Sequence, residues 1–271
     1  MIPLDYITHW RQIAPWTEDV QVEQDLIISR ALIELFSHPE ISRALAFRGG
    51  TALHKLHLKP ARYSEDLDFV QVHQEPIGQT IDAVRASLSP WLGESVNYEQ
   101  KHARFTLNYE VNSESDHAPP IRLKVEINTR EHFSAEGFVW EPLQVDSPWF
   151  QGETDIRTYS LEEMLGTKLR ALYQRDKGRD LFDLWYALET AELDTEEVVD
   201  ICREYLDFGN HSVSRAEFEE NLHGKRRNDQ FRRDVEPLLG SEVDWSFDDA
   251  MDAVLSEFIP EFPGDPWEGG E

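Results

Sequence analysis

The stretch from Phe47 to Phe69 constrains this chain more than any other. Phe47-Arg48-Gly49-Gly50-Thr51-Ala52-Leu53-His54-Lys55, followed by Arg62-Tyr63-Ser64-Glu65-Asp66-Leu67-Asp68-Phe69, reads as strand, glycine turn, short helix, loop and strand. Two glycines, lacking Cβ, let the backbone turn sharply and approach a ligand closely. Thr51 is expected to cap the helix that follows, leaving N–H groups directed at the turn, and such a helix start attracts phosphate. Asp66 and Asp68 sit two apart, so on a strand their carboxylates share one face while Leu67 and Phe69 enter the core. Like charges held this close repel unless a divalent cation lies between them, and Mg²⁺ prefers carboxylate oxygens plus substrate phosphates. Gly-Gly alone is mostly a turn, and Asp-x-Asp alone is mostly a solvated strand edge. In this order they are the minimal equipment for nucleotide chemistry.

The same residues resemble the AbiEii/AbiGii family, nucleotidyltransferase toxins of the DNA polymerase β-like superfamily that include the mycobacterial MenT toxins. The likeness is close over this stretch. It continues more loosely through a helix pair near residues 160–188, so it covers the first two thirds of the chain. It implies an α/β (α+β) fold: a mixed nucleotidyltransferase sheet with helices, followed by a helical bundle.

Bulk properties set the remaining bounds. The chain has 271 residues, 40% of them hydrophobic, enough for one large domain or two smaller ones. No apolar run approaches the ~20 residues of a membrane span. Met1-Ile2-Pro3-Leu4-Asp5 lacks a basic start and an apolar core, so no signal peptide is read. The single cysteine, Cys202, excludes an internal disulfide and a cysteine metal cluster and fits a reducing cytosol. Twenty-six basic and 53 acidic residues give a net charge of −27, which opposes non-specific nucleic-acid binding. An RNA substrate therefore needs a local basic patch, or salt to screen the repulsion.

Along the chain, residues 2–16 read as an irregular arm. A helix starts at Thr17 with apolar positions to Leu35 and ends at His38-Pro39, and Ile41–Leu45 bridges to the strand at Ala46–Arg48. A helix from Pro76 is expected to stop at Ser89-Pro90. Phe105–Val111 alternates as a strand does, and Ile121–Asn128 alternates without a slip. Shorter strands are expected near Phe138–Val145 and Asp155–Tyr159. From Ser160, which opens a capping box, helices are expected to about Tyr173 and over Arg179–Glu189, Thr195–Leu206, Ser214–Leu222 and Phe247–Phe258. The expected domains are 1–158, a nucleotidyltransferase α/β part with its N-terminal arm; 159–259, helical; and 260–271, a loose tail.

Further residues could carry chemistry. Glu126 lies on the polar face of a strand expected beside Asp66 and Asp68, where a third acid would complete a metal-binding triad for a two-metal phosphoryl transfer. The alternative is an exposed residue beside Lys124. Lys168 falls within the core stripe of its helix, which is costly unless its charge is paired or a ligand meets it. The alternative is a snorkelling stem. Asp180 and Asp183 occupy the next helix, where an acid near the start can simply offset the helix dipole. The resemblance extends to these positions. Lys168-Leu169-Arg170-Ala171-Leu172 resembles the family's lysine motif, which implies a triphosphate contact. Arg175 with Arg179-Asp180-Leu181-Phe182-Asp183-Leu184 resembles its catalytic-aspartate motif; Asp180 is taken as the match, with Asp183 open.

Arg48, Gly49, Gly50, Thr51, Lys55, Arg62 and Ser64 flank the nucleotide turn, Thr51 being the best phosphate contact. His54 and His57 lack a third nitrogen or sulfur ligand and are not read as a metal site. Lys225-Arg226-Arg227 with Arg232-Arg233 is either an RNA contact or a solvated helix face. The resemblance implies Mg²⁺-dependent transfer of a nucleoside monophosphate from an NTP, with a separately encoded antitoxin as partner. For related toxins it implies the 3′ end of tRNA as acceptor, and a role in phage defence. Modification of a protein or small molecule, or nucleotide binding without catalysis, are the rival readings.

Overall fold

The computed structural model describes residues 2–94, 97–101, 103–113 and 120–269. The chain divides into two compact units, Met1–Tyr159 and Ser160–Glu271.

In the first unit, α1 (Leu4–Trp10), α2 (Asp19–Phe36) and α3 (Pro39–Ala44) lead into β1 (Leu45–Arg48). After α4 (Gly49–Ala52) and a π-turn over Leu53–His57 come β2 (Asp66–Gln71), α5 (Gly78–Leu92), β3 (Asn97–Lys101), β4 (Arg104–Val111), β5 (Ile121–Asn128), β6 (Val139–Asp146) and β7 (Gln151–Thr158). Among the described residues the seven strands form one sheet in the order β3-β4-β5-β2-β1-β7-β6. It is mixed. β2 runs parallel to β5 and antiparallel to β1, and β1 meets β7 in parallel at Phe47 and Thr158.

The alternation at Ile121–Asn128 becomes β5, with Ile121, Leu123, Val125 and Ile127 all buried. Phe36, Phe47 and Phe69 pack as a cluster, with ring centroids 6.1 and 5.3 Å apart. Each such ring is worth about 1.5–3 kcal/mol of burial.

Several local expectations give way to tertiary contacts. Residues 4–10 are helical, because Ile7 and Trp10 are buried and the Trp10 indole N–H donates to Asp25 Oδ1 of α2 at 2.8 Å. Pro39 starts α3 instead of only ending α2, since a proline at the first helical position forfeits an N–H that would be unpaired anyway. α5 runs through Pro90 to Leu92 and stops at Gly93, whose φ is 86°. Buried Leu88 and Leu92 hold that last turn in place. β3 is exposed throughout and carries no periodic signal; backbone pairing with β4 makes it. β6 falls one residue from its expected place, and β7 starts earlier than expected because it pairs antiparallel with β6 over its full length.

The second unit is helical: α6 (Leu161–Gln174), α7 (Gly178–Thr190), α8 (Thr195–Phe208), α9 (Arg215–Arg226), α10 (Asp229–Arg233) and α11 (Phe247–Glu257), with 3₁₀ turns at Glu236–Leu238 and Ile259–Glu261. The side chains of Ser160, Asp194, Ser214, Asn228 and Ser246 each accept an N–H of the turn they cap, worth about 1 kcal/mol apiece. The segment after Pro260 is not loose over the described residues. Phe262 is buried against Phe218, the Trp267 N–H donates to Glu219 Oε2 at 2.6 Å, and the Trp267 ring packs on His223. Among the described residues no helix is long and apolar enough to cross a membrane.

Candidate active site

β1 ends at Arg48, and the chain turns at once into α4 through Gly49, whose φ of +84° is the left-handed region that favours glycine. β1 and β2 pair so that Arg48 faces Asp68, and β2 and β5 pair so that Asp68 faces Glu126 and Asp66 faces Lys124. The elbow and both aspartates therefore meet at one edge of the β1–β2–β5 surface. A Cβ at Gly49 would lie 2.7 Å from Asp68 Oδ2, and a Cβ at Gly50 would run into the Arg62 guanidinium.

Thr51 does not cap the helix, which begins two residues earlier with Arg48 in the capping position. Its side chain is buried; the hydroxyl donates to the Asp66 carbonyl at 2.7 Å and lies 2.9 Å from the Ser64 hydroxyl. Thr51 and Ser64 thus tie the elbow to the start of β2. Arg48 donates to Glu131 Oε2 at 2.9 Å, and Asn128 Nδ2 donates to the same oxygen at 3.3 Å. Glu131 stands in the loop after β5, with no pattern to mark it. Lys55 points toward α2 and pairs with Asp25 at 2.7 Å and with the Ser29 hydroxyl at 2.9 Å. That pair lines a cavity of about 230 Å³ whose walls also include Thr51 and Ser64 of the elbow, Arg62, Trp10 and Trp16.

Electrostatics mark Asp68. Burial, then the negative charges of Asp66 and Glu126, push its pKa up to about 6, against the opposing pull of Arg48 and Lys124. An acid so placed is short of positive charge, and the Asp66/Asp68 pair offers the hard oxygen ligands that suit Mg²⁺. Glu126 is differently engaged. Its Oε1 accepts from Arg104 and its Oε2 from Lys124, each at 2.9 Å, and Lys124 Nζ also lies 3.6 Å from Asp66 Oδ2. Burial works to lower the Lys124 pKa, but the hydrogen bond to Glu126 and the charges of Asp66, Glu126 and Asp68 outweigh it and raise it. Lys124, Glu126 and Arg104 line a polar hollow of about 290 Å³ together with Lys101, Thr106 and Asn108. Among the described residues, no group of three or more His, Cys, Asp and Glu side chains is set to hold a metal ion.

In the helical unit, Lys168 on α6 is buried and does not snorkel. Its ammonium lies 2.8 Å from Asp183 Oδ2 and 3.2 Å from Asp180 Oδ1, both acids on α7 and both fully buried. Arg175, between the helices, donates to both Asp180 oxygens at 2.7 and 2.9 Å. Burial alone would raise the Asp180 pKa; the Lys168 charge and the Arg175 hydrogen bond and charge outweigh it and hold it below the usual carboxylate value. Arg175 is the member of this group that charge spacing alone did not single out. Of the basic cluster further on, Arg227 and Arg233 are exposed and the other three residues are committed internally. Lys225 is buried and donates to the carbonyls of Leu172, Tyr173 and Arg175 at the end of α6. Arg226 pairs with Asp248 and Asp252, and Arg232 pairs with Asp248.

A family model described as nucleotidyl transferase AbiEii toxin, type IV toxin–antitoxin system, matches residues 30–253. Among solved structures, the chain is similar to MenT4, a nucleotidyltransferase toxin from Mycobacterium tuberculosis. That match has 14% identity and a TM-score of 0.62 and covers 97% of this chain and 91% of that one. It is also similar to a putative nucleotidyltransferase from Helicobacter pylori, with 18% identity, a TM-score of 0.54, and 91% and 96% of the two chains covered. A third match is JHP933 from Helicobacter pylori, with 17% identity, a TM-score of 0.52, and 90% and 92% covered. At these identities the likeness is one of fold. No curated protein matches the sequence.

Proposed function

Because this chain belongs to the AbiEii nucleotidyl transferase toxin family, and so is the nucleotidyltransferase toxin of a type IV toxin–antitoxin system, we propose that it transfers a nucleoside monophosphate from an NTP to a hydroxyl-bearing acceptor, with the 3′ end of tRNA as first candidate. The observation that carries this reading is the contact between Gly49 and the Asp66/Asp68 strand. An acceptor oxygen attacks the α-phosphorus, the bond to the β-phosphate oxygen breaks, pyrophosphate leaves, and the hydroxyl proton passes to a base.

Asp66 and Asp68 would hold Mg²⁺, which when bound supplies charge stabilisation at the reacting phosphate. The Gly49-Gly50 elbow lets backbone approach the phosphates, and Thr51 and Ser64 keep the elbow against β2. Arg48, held by Glu131, faces Asp68 and offsets its charge. In the helical unit, Lys168 is the proposed cation for phosphate oxygens and Asp180 or Asp183 the proposed base. Lys168 and Arg175 keep the Asp180 carboxylate ionised, and the same pairing makes it a weaker base than a free carboxylate, so loosening of that pairing is part of the proposed base role. The antitoxin partner follows from the family; action in the cytoplasm and in phage defence belongs to the same proposal.

A second reading has its own support. The net charge is −27, and three of the five residues in the densest basic cluster, Lys225, Arg226 and Arg232, are paired with the chain's own acids and carbonyls. Both features favour a protein acceptor over a polynucleotide. Incubation with each labelled NTP, Mg²⁺ and total RNA separates the two. Label in tRNA supports the first reading, and label in protein the second. An Asp68→Ala chain that still transfers label sinks the site assignment.

A further inference from the structure

Lys124 stands where a third corner of the carboxylate face would take a metal. The parallel register of β2 and β5 sets it opposite Asp66, and strand periodicity sets it on the same face as Glu126. Its ammonium is 2.9 Å from Glu126 Oε2 and 3.6 Å from Asp66 Oδ2. The other Glu126 oxygen is 2.9 Å from Arg104. Both oxygens through which Glu126 would bind a cation therefore already face cationic N–H donors. The face carries three carboxylates, Asp66, Asp68 and Glu126, and two cations, Lys124 and Arg104, and Arg48 beside Asp68 is matched by Glu131, which leaves a single net negative charge. A fully acidic triad would carry three. That balance suits one divalent ion held by Asp66 and Asp68, and it disfavours a second ion on Glu126.

We propose that Lys124 is a resident cation of this face, holding Glu126 out of the metal's coordination and limiting the site to one divalent ion on Asp66 and Asp68. This rests on the proposed function, since it assumes that the aspartate pair binds a metal. Lys124 is a positioning residue in this account; it acts through Glu126 and Asp66. Sequence spacing alone makes Glu126 the third ligand, and only the side-chain pairing separates the two assignments.

The test is a titration of the full chain with Mn²⁺ alone, following free Mn²⁺ by electron paramagnetic resonance, with circular dichroism confirming that each variant is folded. Wild type is expected to bind one Mn²⁺ per chain, and Asp68→Asn to lose it. Glu126→Gln should keep the wild-type affinity to within about threefold, because a group that is not a ligand contributes only a screened charge. Lys124→Met should bind Mn²⁺ at least about tenfold more tightly or take a second ion, because an opposing charge within ~4 Å is gone. Lys124→Arg, which restores the charge, should return to one ion. Loss of Mn²⁺ in Glu126→Gln, unaltered binding in Lys124→Met, or no Mn²⁺ bound by wild type would each overturn the inference. The two levels fail separately. Label transfer by Asp68→Asn sinks the proposed function, whereas Mn²⁺ loss in Glu126→Gln with Asp68→Asn inactive sinks only the role of Lys124.

Discussion

Gly49 and Asp68 are packed so that no side chain fits between them: a Cβ at Gly49 would come within 2.7 Å of Asp68 Oδ2. The elbow and the acid are therefore one structural feature, although 19 positions separate them in the sequence.

Gly49→Ala is the most direct probe of that feature. The new methyl meets Asp68 and must adopt a φ of +84°, which costs about 1–2 kcal/mol for an L-residue. Displacing Asp68 by about 1 Å should lower transfer up to about a hundredfold. Thermal melts and label incorporation measure both effects. Near-wild-type transfer would show that the contact is incidental.

Asp68 predicts an inverse relation between stability and activity. Its pKa is pushed up to about 6, chiefly by burial. It holds its proton to higher pH in the folded chain than in the unfolded one. The stability it contributes is thus complete below the ordinary carboxylate range and is lost as pH rises through 6. In chelator-treated buffer at pH 7, Asp68→Asn should be more stable than wild type by about 1–2 kcal/mol, the full shift being discounted for partial exposure. Near pH 4 the two should unfold alike in urea. A variant less stable than wild type at pH 7 would contradict this.

Buried Lys168, Asp180 and Asp183, with exposed Arg175, balance two positive against two negative charges. Lys168→Met leaves two buried carboxylates facing one cation and should cost about 3–5 kcal/mol. Adding Asp183→Asn removes one excess charge and should recover a substantial part of that loss. Urea unfolding of wild type, both singles and the double variant gives the coupling. Simple additivity would mean that Lys168 and Asp183 do not interact.

Lys225 and its neighbours should separate by burial. Lys225→Met leaves the α6 carbonyls that it serves without their donor and should cost about 1–3 kcal/mol. Arg226→Ala and Arg232→Ala break exposed pairs with Asp248 and Asp252 and should cost under about 1 kcal/mol each. Thermal denaturation ranks the three. If Arg226→Ala matched Lys225→Met, the exposed pairs would matter far more than their geometry suggests.

The sequence by itself determined whatever depends on neighbours within a turn or a strand. Period two placed Ile121, Leu123, Val125 and Ile127 inside, with Lys124 and Glu126 on the opposite face. It put Asp66 and Asp68 on one side of β2, and helical spacing carried Lys168 into a buried stripe. Local geometry fixes these, so local pattern reveals them. The tertiary structure alone decided how each charge is paired. Lys55 turns to Asp25 thirty residues back, Lys124 and Arg104 occupy Glu126, Lys225 serves the end of α6, and Trp267 docks on α9. A long cation reaches several acids at similar cost in solution. Strand register and helix packing determine which acid is within 3 Å, and those are set by residues far apart in the chain.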